Sequence, residues 1–484
     1  MAKLEVKPRV SGLRPDCLPF SEVISQSIAN IAPSVTPTVN AALVFASAGT
    51  GTWFTYVLAT IGLTFVGLNI NQFAKRSASP GSLYAYIARG LGPMAGVLTG
   101  WALVLAYVLT AMAVVSGFAS YGAVVLGAIG INPSPIFLFA ICVGIAWYVG
   151  YKDIKLSTVI MLVLEAVSVG LIIILGMIIL GEKGYVIDPA QLTLQDAKPG
   201  GIVLGLVLGV FSYVGFESAT TLGDEAKQPL RNIPRAVISS TIICGIFFVF
   251  MSYIEVLGFQ GAPVKFNESA APMSDLANFA GVGFFGVLIA VGATVSMFAC
   301  ALASINAGAR IFFSMGRHGI FHRSIGRAHG RNETPHVAIT LFALATFLVP
   351  TIMNMVGVRP LDIYAYTGTI ATYGFLVAYI LISIAAPIYL RREHQLRWTD
   401  VLSSILAIGF MLIPVLGSIG LPGENSIFPV PTAPYNVFPY LFLVYMIVGA
   451  VWFLILRSRS PNMIQEMEND IEASHTRFSE MKKV

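Results

Sequence analysis

Long apolar runs recur along the whole chain, separated by short polar connections, and each is long enough to cross a bilayer core of about 30 Å. Twelve runs are read, over residues 20–48, 52–72, 93–119, 133–150, 155–180, 201–223, 235–258, 282–312, 336–353, 361–388, 400–420 and 436–456. The expected fold is an all-α polytopic membrane protein. None of the connections is long enough for a soluble domain. The connection 313–335 is basic and Gly-rich, 181–200 and 259–281 are polar enough to act as lids, and the charged tail after Pro461 can form a surface helix.

Two of the runs are irregular. The first carries Pro33 and Pro37 at its middle, in NIAPSVTPTVN. A break inside a span leaves backbone groups that must find partners, at several kcal/mol each if they do not. With Pro37 in the first position of a second half-helix and Thr36 as its N-cap, the N–H groups of Ser34, Val35 and Thr36 are expected to point at a ligand. A helix N-terminus attracts negative charge. The sixth run is apolar and Gly-rich from Gly201 to Tyr213, then breaks at VGFES with Gly215 as the flexible point and Glu217 as a buried acid.

Interruptions in the first and sixth runs are the pattern of a five-plus-five inverted repeat, whose broken helices 1 and 6 build a substrate site near the midplane. The expected division is an inner N-terminal segment 1–19, a first repeat 20–180, a second repeat 181–390, two further spans within 391–456 and a tail 457–484.

Composition agrees with the pattern. Only 11% of the 484 residues are charged and the mean hydropathy is +0.79, too little polar surface to cover a soluble globule. With the N-terminus inside, 25 of the 29 Lys and Arg fall on the inner side, and only Lys183, Lys198, Lys265 and Arg359 on the outer. That bias orients the chain with both termini in the cytoplasm. It also accounts for the net charge of +5 without nucleic-acid binding. The N-terminal stretch is too polar to be a cleaved signal sequence. The four cysteines show no CxxC pairing, and no nucleophile–base pair, cofactor motif or metal cluster marks an enzyme. His318 and His322 are read as loop residues.

Depth sorts the acids. Glu165 lies ten residues beyond Lys155, about 15 Å into the membrane. Glu217 follows the sixth-run break, and Glu255 falls at the outer interface, where a solvated helix end is expected. A midplane carboxyl is expensive and marks function, so Glu165 and Glu217 are the proton-coupling candidates. The substrate-binding candidates are Ser34, Val35, Thr36, Tyr107, Tyr213, Phe216 and Glu217. Phe211 is a further aromatic near a break. Ser296 and Ser304 can offer hydroxyls to an ion near the first span.

Three segments carry a resemblance. FSYVGFESATTLGDEAKQPLRNIPRAV (Phe211 to Val237) resembles the sixth-span motif of the amino acid–polyamine–organocation (APC) superfamily. SPGSLYAYIARGLGPMAGVLTGW (Ser79 to Trp101) and ARIFFSMGRHGIFHRSIGRAHGRNETPHVA (Ala309 to Ala338) are similar to two further motifs of that superfamily. The first span departs from it, with APSVTP in place of the usual glycine-containing break. Sodium-independent relatives often carry a lysine in the fifth span, and the corresponding residue here is Glu165. The resemblance implies a secondary transporter in the cell membrane importing an amino acid or related amine by alternating access. Protons are the expected coupling ion, ahead of Na⁺. An exchanger without net ion coupling and a transporter-like sensor are the alternatives.

Overall fold

The computed structural model describes residues 12–152, 154–269, 271–423 and 426–481. In chain order it contains α1 (Phe20–Ile31), a π turn (Thr36–Asn40), α2 (Ala41–Ala48), α3 (Thr52–Ala74), α4 (Leu83–Leu91), α5 (Pro93–Gly127) and α6 (Pro135–Lys152). Next come α7 (Ile154–Glu182), the short α8 (Pro189–Leu192), α9 (Pro199–Phe211), a 3₁₀ turn (Ser218–Leu222) and α10 (Pro229–Gly258). The chain continues with α11 (Pro272–Phe279), α12 (Gly283–Arg317), α13 (His336–Met355), α14 (Pro360–Arg392), α15 (Trp398–Ile419), α16 (Phe438–Arg459) and α17 (Pro461–Met481). No strand occurs among the described residues; Leu18 and Ala226 form an isolated parallel bridge. Eight of these helices begin on a proline. At the first helical position the missing N–H costs nothing and the fixed φ suits the helix.

Ten stretches are long and apolar enough to cross a membrane among the described residues. The first, Phe20–Ala74, covers both of the first two expected runs, and Pro199–Phe211 is a shorter apolar helix where the sixth begins. The chain is a multi-pass membrane protein. Apolar side chains are exposed along its outer helices, as a lipid-facing surface requires: Leu441, Val444, Ile447 and Val451 on α16 are each about half exposed.

Both irregular runs are broken as expected. α1 ends at Ile31, Ala32 turns left-handed at φ 49°, and the chain re-enters helix through the π turn. α9 stops at Phe211, and Gly215 sits at φ +89° before the 3₁₀ turn. The halves pair in register. α1 runs beside the 3₁₀ turn, with Ser27 Oγ donating to the Phe216 carbonyl at 2.7 Å and Ser218 Oγ to the Gln26 carbonyl at 3.2 Å. α2 packs against α9, where Gly205 faces Val44 and Ala48. The breaks therefore lie side by side, with α5, α7, α12 and α14 around them.

Both ends are covered. At the end carrying most of the basic loops, the N–H groups of Cys17 and Leu18 donate to the Glu225 carbonyl at 2.9 and 3.0 Å, and the Lys227 N–H donates back to Leu18. Beneath this clasp Arg310 of α12 grips Glu225 in a bidentate pair at 2.7 and 2.8 Å, both side chains 1% exposed. Burial, joined by the Glu225 carboxylate, pushes the Cys17 thiol up to about 11, so it stays a thiol at neutral pH. At the opposite end α8 and α11 act as covers. Trp53 Nε1 donates to the Gln191 carbonyl at 3.0 Å, and Gln260 Nε2 to Asp188 at 2.6 Å.

The tail helix α17 docks on the basic end through Met463 and Met467, both buried. His318 is not a free loop residue. Its Nδ1 bonds the Tyr84 hydroxyl of α4 at 2.7 Å and its Nε2 bonds Asp470 of α17 at 2.8 Å, with Arg317 adding a 3.2 Å contact to Asp470. Burial alone would push the Asp470 carboxyl up, but the His318 hydrogen bond and the neighbouring Arg317 and His318 charges outweigh it and hold it below the usual range. A carboxyl depressed on folding contributes stability above its unfolded pKa of about 3.9, and loses it only as pH falls through the lower folded value. Docking of α17 is therefore expected to resist limited proteolysis from neutral pH down to about pH 4. Asp470→Asn should expose α17 to protease at pH 7. Equal protection of variant and wild type would show that Met463 and Met467 hold the helix unaided.

Candidate substrate site at the broken helices

The site is built where the chain cannot satisfy its own backbone. The Ser34 N–H donates to Glu165 Oε1 at 2.9 Å, and Ser34 Oγ donates to the same oxygen at 2.8 Å. Ser296 Oγ of α12 lies beside the same carboxyl. Glu165 and Ser34 are buried. Both donors that Ser34 presents at the first break are thus taken by a buried carboxyl side chain of α7.

This corrects the expectation of three free amides. The Ser34 N–H is taken by Glu165, and the Val35 N–H bonds the Ala32 carbonyl at 2.8 Å. Thr36 is not an N-cap: it opens the π turn, and its buried hydroxyl has no hydrogen-bond partner. Pro37, with no N–H to give and a fixed φ, sits in that wider turn rather than starting an α-helix.

Glu217 occupies the other break. Tyr107 of α5 donates to its Oε1 at 2.6 Å and Tyr379 of α14 to its Oε2 at 2.7 Å. The N–H groups of Gly215 and Glu217 face the same carboxyl. The left-handed glycine turns successive amides inward and makes an anion nest. Its lack of a Cβ is required twice, because a side chain at 215 would also collide with Asn30 Nδ2. The two phenols meet because α5 and α14 approach closely at Gly374, where a Cβ would fall 2.6 Å from the Ala102 carbonyl oxygen.

Between the two carboxyls lies Asn30, in the last turn of α1. Ser304 Oγ of α12 donates to its Oδ1 at 2.6 Å, and Cys300 Sγ donates to its carbonyl at 3.1 Å. Its Nδ2 has no hydrogen-bond partner, and neither has Gln26 Oε1 one turn earlier, although Gln26 Nε2 bonds the Ala303 carbonyl. Ser304 therefore faces the first span, whereas Ser296 lies beside the Glu165 carboxyl of α7.

The other aromatic candidates separate. Phe216 sits in the break, with its ring against Tyr379 at 5.3 Å. Phe211 packs edge-on to Tyr364, whose hydroxyl donates to Asn40 at 2.8 Å. Tyr213 turns away: its hydroxyl bonds Thr60 of α3 at 2.6 Å, and its ring packs on Tyr56 and Phe248. Two residues past α9, the chain aims it at the α3–α10 interface. Tyr379 and Asn30 were missed. Tyr379 is one aromatic in a continuous apolar run, with no local mark. Asn30 was legible as an amide beside the first break, a place where an unpaired polar group needs a reason.

Glu255 is not a solvated helix end. It is fully buried, and neither carboxyl oxygen has a hydrogen-bond partner. At the same end of α10, Leu276 of α11 and Ile179 of α7 pack against Gly258.

Paired interrupted helices, with buried carboxyls and amide groups gathered at the breaks, are the architecture of membrane transporters. The profile of the family described as amino acid permease matches residues 22–464, and the chain belongs to that family. It is 26% identical over 440 residues to the branched-chain amino acid permease BcaP of Bacillus subtilis, covering 86% of this chain and 87% of that one. It is 25% identical over 377 residues to the low-affinity putrescine importer PlaP of Escherichia coli K12, covering 75% and 78%. The methylthioribose transporter of Bacillus subtilis is 25% identical over 438 residues, covering 85% and 87%. These relatives are transporters, and this chain is a permease and not an enzyme.

Proposed function

We propose that this permease crosses the cell membrane twelve times as a five-plus-five inverted repeat and imports an amino acid or related amine, coupled to protons, by alternating access. Its basic loops lie in the cytoplasm. The observation that carries the reading is the grip of Glu165 on Ser34 at the first break.

A substrate carboxylate is drawn to the same amide. Two anions cannot share one N–H at the membrane midplane, where charge is costly. Substrate binding at Ser34, Val35 and Thr36 therefore requires Glu165 to take up a proton and loosen its hold. That makes proton and substrate obligate companions. The unpaired Asn30 Nδ2 and Thr36 hydroxyl supply further donors. Glu217 sets the second break and presents Tyr107 and Tyr379; with Phe216 these groups flank the amine, whose positive charge the buried carboxylate favours. Sodium would need several more oxygens than Ser296 and the break provide.

The relatives named for branched-chain amino acids and putrescine give two probes. Purified protein in proteoliposomes should accumulate labelled L-leucine more strongly than putrescine when a pH gradient, inside alkaline, is imposed without Na⁺. A carboxylate-free diamine cannot use the Ser34 amide. Accumulation driven by Na⁺ alone would overturn the proton assignment, and flux seen only as counterflow would make the protein an exchanger.

A further inference from the structure

Glu255 is the buried acid that the site does not use. It lies in the last turn of α10, just before an apolar cluster in which Phe259 stacks on Phe266 at 4.8 Å and meets Phe279 edge-on at 5.8 Å. Among the described residues no lysine, arginine or histidine faces it. The titratable neighbours are Tyr56 from α3 and Tyr121 from α5. From α7 the packing is apolar, through Ile179 against Gly258. Asp275 of α11, which is only partly buried, faces the same Tyr121. The Tyr121 hydroxyl in turn donates to the Thr38 carbonyl, inside the π turn of the first break.

A carboxylate with neither counter-ion nor hydrogen-bond donor is the most expensive state such a group can adopt in low dielectric, and both oxygens of Glu255 are without a hydrogen-bond partner. A side chain that served packing alone would be cheaper as Leu or Met, and one that served the fold as an ion would have a partner. Its place is between a lid helix bearing a partly exposed acid and the half-helix that leads to Ser34 and Glu165.

We propose that Glu255 is a second proton-binding carboxyl, lying on the outer side of the first break, which loads from the external solution when α11 lifts and supplies the proton that Glu165 takes up. It accepts a proton from hydronium, leaving water. It returns to the carboxylate as that proton passes inward, and is reloaded from outside. The assignment rests on the proton-coupled reading above and adds a site to it.

Infrared spectra of the purified protein in lipid test it without knowledge of the substrate. Wild type at neutral pH should show a protonated-carboxyl C=O band that Glu255→Gln removes and Glu255→Asp shifts. The band should move on transfer to D₂O and titrate with buffer pH. No such band, or one that neither exchanges nor titrates, overturns the proposal: Glu255 is then ionised, or a sealed structural acid. In proteoliposomes, Glu255→Gln should slow pH-gradient-driven leucine uptake at least tenfold, with partial recovery in Glu255→Asp; wild-type uptake in Glu255→Gln also overturns it. Failure of the underlying reading looks different: Glu165→Gln would then accumulate leucine like wild type, whatever the Glu255 band does.

Discussion

Glu165→Gln is expected to lose pH-gradient-driven accumulation by at least tenfold, about 1.4 kcal/mol in barrier terms, while leucine exchange at equal pH persists. The amide oxygen of Gln can still accept from the Ser34 N–H and hydroxyl, which Glu165 holds at 2.9 and 2.8 Å. What disappears is the charge. A substrate carboxylate then displaces a neutral group and needs no proton to do so. Binding measured by calorimetry should become independent of pH in the variant, whereas wild type should bind less tightly as pH rises and the carboxylate competes. Replacing Glu165 by Leu is a sharper cut, since it removes the competing acceptor and leaves the Ser34 N–H and hydroxyl to the substrate carboxylate; binding should persist without pH dependence while accumulation is lost. Wild-type accumulation by Glu165→Gln under a pH gradient would remove this residue from the coupling step.

The second large effect lies at the basic end. Arg310→Met leaves Glu225 as an unpaired buried carboxylate, a change that costs about 3–5 kcal/mol. The guanidinium makes two bonds to Glu225 and a third, at 3.0 Å, to the Asn306 carbonyl, so no smaller cation replaces it. Thermal unfolding in detergent should fall sharply in the single variant and recover in Arg310→Met/Glu225→Met, because a buried pair exchanged for packed apolar groups is often neutral. The recovered double variant carries the functional information. The Glu225 carbonyl still receives the Cys17 and Leu18 amides, so a clasp held by backbone alone would keep residues 17–18 closed, and transport would be near normal. If the ion pair sets the strength of the clasp, the double variant should instead be stable but open to thiol modification at Cys17. Equal stability of Arg310→Met and wild type would contradict the buried-pair geometry.

The sequence by itself determined the membrane class, the positions of the apolar helices, and both interruptions. Each of these is local. Hydropathy over about 20 residues decides what can sit in lipid, prolines decide where helices start, and Pro33, Pro37 and Gly215 decide where they cannot continue. That Glu165 and Glu217 are buried acids was legible for the same reason, since an acid inside a long apolar run seldom reaches water. What covers or pairs a residue is not local. That Ser34 meets Glu165, that Glu217 is held by Tyr107 and Tyr379, that Tyr213 faces α3, and that Glu255 is buried all depend on which helices pack together across the chain. The sequence showed that the broken backbone of the first span needed a partner; only the tertiary structure decided that a carboxylate from α7 provides it, because a hydrogen bond between distant segments is fixed by packing and leaves no periodic mark on either one.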